Sequence, residues 1–261
     1  MGNDIIKVND PSYARYESLL LRRDAVRKEA FECEQEFIRV FGELILKVFE
    51  KKIECIRKKK MIEFCTFYIN RGEAVDRAAL QEYLRREMAE YEQTLKNMIA
   101  EHDAAQRSTV ITQATLLKIK RIYHRMVKKI HPDINPLTER NTEMNALWRR
   151  LSIAYECNNL REMEECEFLT NALLEKLGSE AEQISIPNIT ERIAQLEQEI
   201  AEITAKDPYQ YKYLLASDVD VAQKKEELAA ELQEYADYSD SLEQILSDSI
   251  KGRMKITWRM N

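Results

Sequence analysis

Hydrophobic residues recur every three or four positions along most of the chain, which is the spacing of one face of a helix. The first run starts after Pro11, a residue suited to the first turn of a helix, and extends to a turn predicted at residues 70–72 (Asn-Arg-Gly). Its apolar positions are Tyr16, Leu20, Val26, Ala30, Cys33, Phe37, Val40, Leu44 and Val48. The pattern has one gap, at Arg23. A second helix is predicted over residues 73–106, so the two helices should form a hairpin.

The last third of the chain shows two further helical runs. The first is predicted to be capped by Asn188 or Thr190 and to end at Asp207-Pro208. Its apolar positions are Ile189, Ile193, Leu196, Ile200 and Ile203. The second starts near Asp218 and carries Leu228, Leu232, Tyr235, Tyr238, Leu242 and Ile245. This pattern predicts a second antiparallel coiled-coil hairpin. The fold class is therefore predicted to be all-α.

The central part of the chain contains one helix with two different faces. Between residues 107 and 132 there are seven basic residues and no acidic residue. The apolar positions are Leu116, Ile119, Tyr123, Met126 and Ile130. The basic series is offset from the apolar series by two residues, which is about 200° around a helix. Its positions are Lys118, Arg121, Arg125 and Lys128. The sequence therefore predicts an apolar face with a basic face opposite it.

Proline ends this helix, because it disfavours helical backbone angles at the preceding residue. The tripeptide His131-Pro132-Asp133 should thus lie at an exposed helix end, with the His131 and Asp133 side chains directed outward. A loop over residues 134–137 leads to a further helix that Thr138 could cap. The apolar face of that helix is Met144, Leu147, Trp148, Leu151, Ala154 and Tyr155.

The segment IKRIYHRMVKKIHPDIN, followed by LWRRLSIAYE, resembles the J domain of DnaJ-type co-chaperones. The resemblance covers helix II, the HPD loop and helix III of that family, from Leu116 to Cys157. The flanking long helices resemble, more loosely, bacterial proteins that embed a J-like module in a coiled coil. No Tyr-x-x-Leu-Gly-Val helix precedes Leu116. The hypothesis is that the segment containing Tyr91, Leu95 and Met98 supplies that packing. Ile134 stands where many family members have a basic residue.

The resemblance implies a protein that binds a DnaK-type chaperone and stimulates its ATP hydrolysis, without being an enzyme or requiring a cofactor or metal. The basic residues Lys120, Arg121, Arg125, Lys128 and Lys129 would contact an acidic surface of the partner's ATPase domain. His131, Pro132 and Asp133 would engage the partner's interdomain linker region. The coiled-coil arms are further candidates for binding client or helical partner proteins.

Composition and charge narrow the remaining possibilities. Five Gly and five Pro in 261 residues, with 33% charged residues, favour long exposed helices over folds with many tight turns. A net charge of −6 argues against nucleic acid as the main partner. The five cysteines contain no Cys-x-x-Cys pair, which favours a reducing compartment. No apolar run approaches the length of a membrane span, so a cytoplasmic protein without membrane contact is expected.

Three parts are predicted: a helical hairpin at 1–107, the J-like module at 108–177, and a coiled-coil hairpin with a short tail at 178–261. An alternative function is a coiled-coil scaffold that carries a degenerate J-like module.

The basic run at residues 51–60 is interpreted as a solvated helix face, with a nucleic-acid or lipid site as the alternative. The tyrosines at 209, 211 and 213 are expected to pack the hairpin tip, or else to bind a partner. The oligomeric state and the clients stay open.

Overall fold

The computed structural model describes residues 11–107, 111–178, 186 and 188–253, and every regular element in this part of the chain is a helix. The prediction of an all-α fold is confirmed. The elements are α1 Pro11–Asn70, α2 Arg77–Arg107, α3 Gln113–Ile130, α4 Leu137–Arg140, α5 Thr142–Glu156, α6 Leu160–Leu177, α7 Ile189–Thr204, α8 Tyr211–Leu215 and α9 Asp218–Arg253. Residues 1–10, 108–110, 179–185, 187 and 254–261 lie outside the described part of the chain.

Two helix starts differ from the sequence prediction, and in both cases a capping side chain explains the difference. Helix α2 begins at Arg77 instead of residue 73, because the Asp76 carboxylate accepts a 2.9 Å hydrogen bond from the Ala78 N–H. Helix α5 is capped by Asn141, whose Oδ1 accepts from the N–H groups of Glu143 and Met144, each at 3.0 Å. Such a cap satisfies amides that have no partner within the helix. Thr138, the predicted cap, is instead buried within α4.

The residues group into two compact units, each built from two stretches of chain. The first unit combines the chain up to Glu34 with Thr109–Lys212, and the second combines Gln35–Ser108 with the chain from Tyr213 onward. In the first unit, α1 contributes Tyr13, Tyr16 and Leu20 to the core formed by α3, α5, α6 and α7. The segment with Tyr91, Leu95 and Met98 belongs to the second unit. The core around α3 is formed instead with residues of α1, α5, α6 and α7, and none of these three residues is among its members.

In the second unit, α1 and α2 form the expected antiparallel hairpin. The ring centroids of Phe64 and Tyr83 are 5.1 Å apart, and Arg57 Nη2 lies 2.8 Å from Glu92 Oε1. Farther along, Arg39 Nε donates to the Ala105 carbonyl at 3.4 Å. Because contacts late in α2 are made with residues early in this stretch of α1, the two helices run in opposite directions.

The basic run at residues 51–60 is more than a solvated face. Lys51 pairs with Glu54 at 2.7 Å, and Lys60 pairs with Glu87 at 3.2 Å. Lys58 lies 3.1 Å from Glu243 and donates to the Ser239 hydroxyl at 2.9 Å. Four of the six basic side chains in this run, including Arg57, thus form ion pairs within the second unit. Three of these pairs, those of Arg57, Lys58 and Lys60, join α1 to α2 or α9.

Helices α7 and α9 were expected to pair with each other, but their described contacts are with α1. In the first unit, Ile200 of α7 packs against Val26 and Ala30 of α1, together with Tyr209. In the second unit, Tyr235 of α9 accepts a hydrogen bond from Cys55 of α1 through its carbonyl. Each helix therefore contacts a different part of the same long helix.

The three tyrosines near the α8 helix have different environments. Tyr209 is buried, in agreement with a packing role, and its ring receives the Lys212 ammonium 3.8 Å from the centroid. Tyr211 is partly buried, and Tyr213 has 61% of its surface exposed.

Two further expectations concern the thiols and the membrane. All five cysteines are free thiols, and Cys157 alone among them is exposed. None of the helices within the described ranges is long and apolar enough to cross a membrane.

Candidate functional site

Helix α3 has the two faces that its sequence predicts. Ile119, Tyr123, Met126 and Ile130 are buried, while Leu116 is partly buried. The basic residues are all exposed; they are Lys118, Lys120, Arg121, Arg125, Lys128 and Lys129. We call these six residues the basic face. Its separation from the apolar face follows from the offset of two residues between the two series.

Four residues of the basic face already have partners within the first unit. Arg125 forms two hydrogen bonds with the Glu167 carboxylate of α6, at 2.8 and 3.0 Å. Lys129 donates to Asn171 at 2.7 Å, and Lys118 pairs with Glu164. On the other side, Lys128 Nζ lies 2.9 Å from Glu17 of α1. For Lys120 and Arg121 no ion pair exists within the described part of the chain, so they are the basic side chains most available to another molecule.

The end of α3 is formed by the tripeptide itself. The His131 N–H donates to the Val127 carbonyl at 3.1 Å, and its φ/ψ of −65°/128° is extended, as expected before a proline. The His131 carbonyl then accepts from the N–H groups of Ile134 and Asn135, at 2.9 and 2.8 Å. These bonds close a tight turn, so the position of Asp133 is determined by the backbone on both sides.

Asn135 fixes the far side of this loop. Its side-chain amide donates to the Lys129 carbonyl at 2.9 Å, which is one of the last carbonyls of α3 and lacks a helical partner. Its Oδ1 accepts from the Leu137 N–H at 3.1 Å, where α4 begins. Asn135 and the neighbouring Ile134 are both buried. Ile134 therefore serves the core, which explains an apolar residue at this position.

His131 does not point outward as the sequence led us to expect. Only 5% of its side chain is exposed, and its ring meets Trp148 of α5 edge to face, with centroids 4.6 Å apart. The cause is tertiary: α1 and α5 close over the end of α3 and cover the imidazole. The expectation that His131 offers its ring to a partner is corrected.

The surroundings of His131 favour a neutral imidazole. Burial lowers the pKa of His131 to about 4, although the nearby Asp133 and Asp24 carboxylates oppose that shift. Nδ1 accepts a 3.0 Å hydrogen bond from the Asp133 N–H, so it carries no proton. Nε2 lies 3.3 Å from Nη2 of Arg23. With Nδ1 unprotonated, the neutral ring carries its proton on Nε2, whereas a protonated ring could not accept from the Asp133 N–H, which is a second reason for the neutral form.

Arg23 and Asp24 of α1 form a half-buried network beside the histidine. The Arg23 guanidinium donates from Nε and Nη2 to Asp24 Oδ1, at 3.0 and 2.8 Å. The other carboxylate oxygen of Asp24 accepts from the Tyr123 hydroxyl at 2.9 Å. Burial, followed by the Asp24 charge, raises the pKa of Tyr123 well above its ordinary value, so this hydroxyl remains a donor. The Arg23 and Asp24 charges thus have each other as partners at a position where little water can solvate them.

Asp133 lies at the rim of this network. Its Oδ2 is 3.6 Å from Arg23 Nη1 and 3.8 Å from His131 Nδ1, both longer than a charge-assisted hydrogen bond. The side chain is 37% exposed. It borders a cleft of 240 Å³ that is also lined by Arg23, Arg27 and Trp148. Asp133 is therefore the charged member of the tripeptide that another molecule can reach.

Aromatic packing holds α3 and α5 together behind the loop. The rings of Tyr123 and Tyr155 stack with centroids 3.8 Å apart and an interplanar angle of 9°. Lys28 of α1 closes the C-terminal end of α5 by donating to the Tyr155 carbonyl at 2.7 Å and to Asn158 Oδ1. A cation at that helix end also interacts favourably with the helix dipole. These contacts give the loop a rigid support.

Sequence reasoning missed four residues that shape the site: Arg23, Asp24, Lys28 and Asn135. The gap at Arg23 in the apolar pattern of α1 was the available signal, because a charged pair that interrupts a buried seam needs partners there. Asn135 carries a weaker signal, since asparagine is common in turns after a helix. All eight residues expected in the site lie on α3 or in the loop that follows it.

No protein-family model, curated protein or solved structure matches this chain. The function is therefore argued from the basic face, Asp133 and the supporting residues alone. Exposed cations beside a reachable carboxylate are groups that suit recognition of a charged protein surface.

Proposed function

We propose that this chain is a J-domain-type co-chaperone, which binds a DnaK-type chaperone through α3 and the loop after it and stimulates the partner's ATP hydrolysis. The observation that supports this most directly is the partly exposed Asp133 carboxylate at the end of α3, whose basic face is exposed. In this proposal the chain catalyses no reaction itself and holds no cofactor. It acts by presenting a fixed pattern of charge to its partner.

The basic face gives orientation and association rate. Lys120 and Arg121 are exposed and carry no ion pair in the described part of the chain, so they make the first contacts with an acidic surface of the ATPase domain. Contacts of this kind steer encounter more than they add affinity, and salt weakens them. Arg125, Lys128 and Lys129 join after exchanging their present partners.

The three residues of the tripeptide have different roles. Asp133 contacts a cationic group in the partner's linker region, and Pro132, which is partly exposed, ends α3 at the correct residue. His131 is a positioning residue: its Nδ1 holds the Asp133 N–H, and its ring is held by Trp148. A fixed carboxylate loses little freedom when it binds.

The test is the ATP turnover of a DnaK-type chaperone with the wild-type chain and with Asp133→Asn. Loss of one charge of a paired interface contact costs about 2–5 kcal/mol, or about 30-fold or more in affinity. We expect stimulation by Asp133→Asn to be lost at concentrations where the wild type is fully active. Asp103→Asn, which changes the same charge at an exposed position of α2, is the matched control. Equal stimulation by all three proteins would contradict the proposal.

One observation favours the alternative of a scaffold with a degenerate J-like module. Four of the six residues of the basic face are occupied within the chain, as expected if the module only links helices. In that case affinity capture with the wild-type chain enriches a helical partner and no DnaK-type chaperone, and Asp133→Asn leaves that partner unchanged.

A further inference from the structure

Helix α1 places one acidic and one basic side chain against the proposed binding surface. Glu17 Oε1 lies 2.9 Å from Lys128 Nζ on the basic face, and Arg23 Nη1 lies 3.6 Å from Asp133 Oδ2. The two residues are less than two helical turns apart on α1. The first unit thus presents a negative group to α3 and a positive group to the loop carboxylate from the same helix.

A partner that uses this surface must present the same pattern of charge: an acid to the basic face and a base to Asp133. We infer that Glu17 and Arg23 compete with the partner for Lys128 and Asp133, so that the chain restrains its own binding to the chaperone. This inference rests on the proposed function. It adds that affinity for the partner is set partly by two residues of α1.

The competition works by exchange of side chains while α1 stays in place. Tyr16 and Leu20, on the same stretch of α1, are 2% and 0% exposed in the core of the first unit. Departure of the helix would expose them and open that core. The Arg23–Asp133 distance exceeds that of a charge-assisted hydrogen bond, so a partner cation that makes such a bond displaces the internal contact.

Arg23 contacts Asp24 and Asp133 through different nitrogens, so one substitution can remove the contact with Asp133 and keep the pair with Asp24. Its Nε and Nη2 are used by Asp24, whose second oxygen is held by Tyr123, and Nη1 is the nitrogen that faces Asp133. Lysine at this position keeps a positive charge for Asp24 but has a single ammonium group, which cannot serve both carboxylates. Arg23→Lys therefore removes the contact with Asp133, together with the approaches of the guanidinium to Glu199 and His131, and leaves the buried Asp24 paired.

The experiment measures the concentration of this chain that gives half-maximal stimulation of a DnaK-type ATPase. Weak ion pairs of this type are worth about 0.2–1 kcal/mol, so Glu17→Gln and Arg23→Lys should each lower that concentration by a factor of about 1.4 to 5. Glu197→Gln is the control, because it removes the same charge as Glu17→Gln from the exposed pair with Arg15 elsewhere in the first unit. It should leave the concentration unchanged.

The outcomes separate the inference from the proposed function. If the wild type stimulates and both variants are equal to it or weaker, the competition is overturned while the co-chaperone function stands. If no protein in the series stimulates, the proposed function fails and the inference fails with it.

A readout without the chaperone is the double-mutant cycle of Arg23→Lys and Asp133→Asn on the free energy of unfolding. Additive effects would also overturn the inference, because they would show that the two side chains do not interact. Glu17→Gln, which disturbs no buried pair, carries the ATPase test if Arg23→Lys is unfolded by circular dichroism.

Discussion

The N–H of Asp133 donates a 3.0 Å hydrogen bond to Nδ1 of His131, two residues before it. Because the imidazole is itself held against Trp148, this bond links the partly exposed Asp133 to the buried His131. The histidine thus determines where the carboxylate lies, although the histidine itself is hidden. The three residues form one structural unit in which Asp133 is the accessible charged group.

We expect His131 to stay neutral well below the pH at which an ordinary histidine is protonated. Burial lowers the pKa of His131 to about 4, whereas the unfolded chain has a pKa near 6.5. Between these values the unfolded state binds more protons, so the stability contributed by the neutral ring is complete above pH ~6.5 and is lost as the pH falls towards 4. Titration of the imidazole signals by NMR measures this directly.

A matched stability measurement checks the same point. His131→Phe keeps an aromatic ring beside Trp148 but removes the titrating group. The free energy of unfolding of this variant, measured with urea, should fall less between pH 7 and pH 5 than that of the wild type. A signal for His131 that titrates near pH 6.5, with parallel pH dependence in the two proteins, would contradict this interpretation.

Lys120 and Arg121 should contribute most of the salt-dependent part of chaperone binding. Replacing both by Gln should raise the half-stimulating concentration about three- to tenfold at low salt, from the usual strength of exposed charge pairs. The difference from the wild type should shrink as salt screens these charges. The control is the double replacement Lys52→Gln and Lys225→Gln, which removes the same charge from exposed positions of α1 and α9 in the second unit. A loss of the same size in the control would show a general charge effect.

Leu20 should be essential for the first unit, because it is fully buried among residues of α3, α5 and α7. Leu20→Ala should lower the free energy of unfolding by about 2–5 kcal/mol, the usual cost of a buried leucine cavity. Leu117→Ala, at a position of α3 that is 47% exposed, should cost less than about 1 kcal/mol. Urea denaturation followed by circular dichroism gives both values. Equal effects of the two substitutions would place Leu20 outside the core.

Much of the local structure could be predicted from the residues near each position. The turn after Asn70, the two faces of α3 and the end of that helix at His131 follow from spacing, glycine and proline. The predicted N-terminal cap of α5 was wrong because two nearby residues have the chemistry of a cap. Thr138 and Asn141 are both good caps, and the choice between them depends on the short helix α4, which the local pattern did not reveal.

The partners of the helices could not be predicted in the same way. Every long helix has an apolar seam with steps of three and four, so α7 fits α9 as well as it fits α1 by pattern alone. For the same reason the pattern fits Leu95 against α3 as well as it fits Leu20, but it is Leu20 that lies in the core with the buried residues of α3. The division into two compact units depends on these choices.

The sequence by itself determined the helical fold class, the basic face of α3 and the position of the loop with Asp133, because each depends on residues close together in the chain. Only the tertiary structure decided that His131 is buried, that Glu17 and Arg23 meet Lys128 and Asp133, and that Lys120 and Arg121 have no ion pair in the described part of the chain. The contacts that bury His131 and those of Glu17 and Arg23 join residues far apart in sequence, and they form because α1 packs against α3 and α5. Periodicity states which face of a helix is buried, but it does not state against which helix.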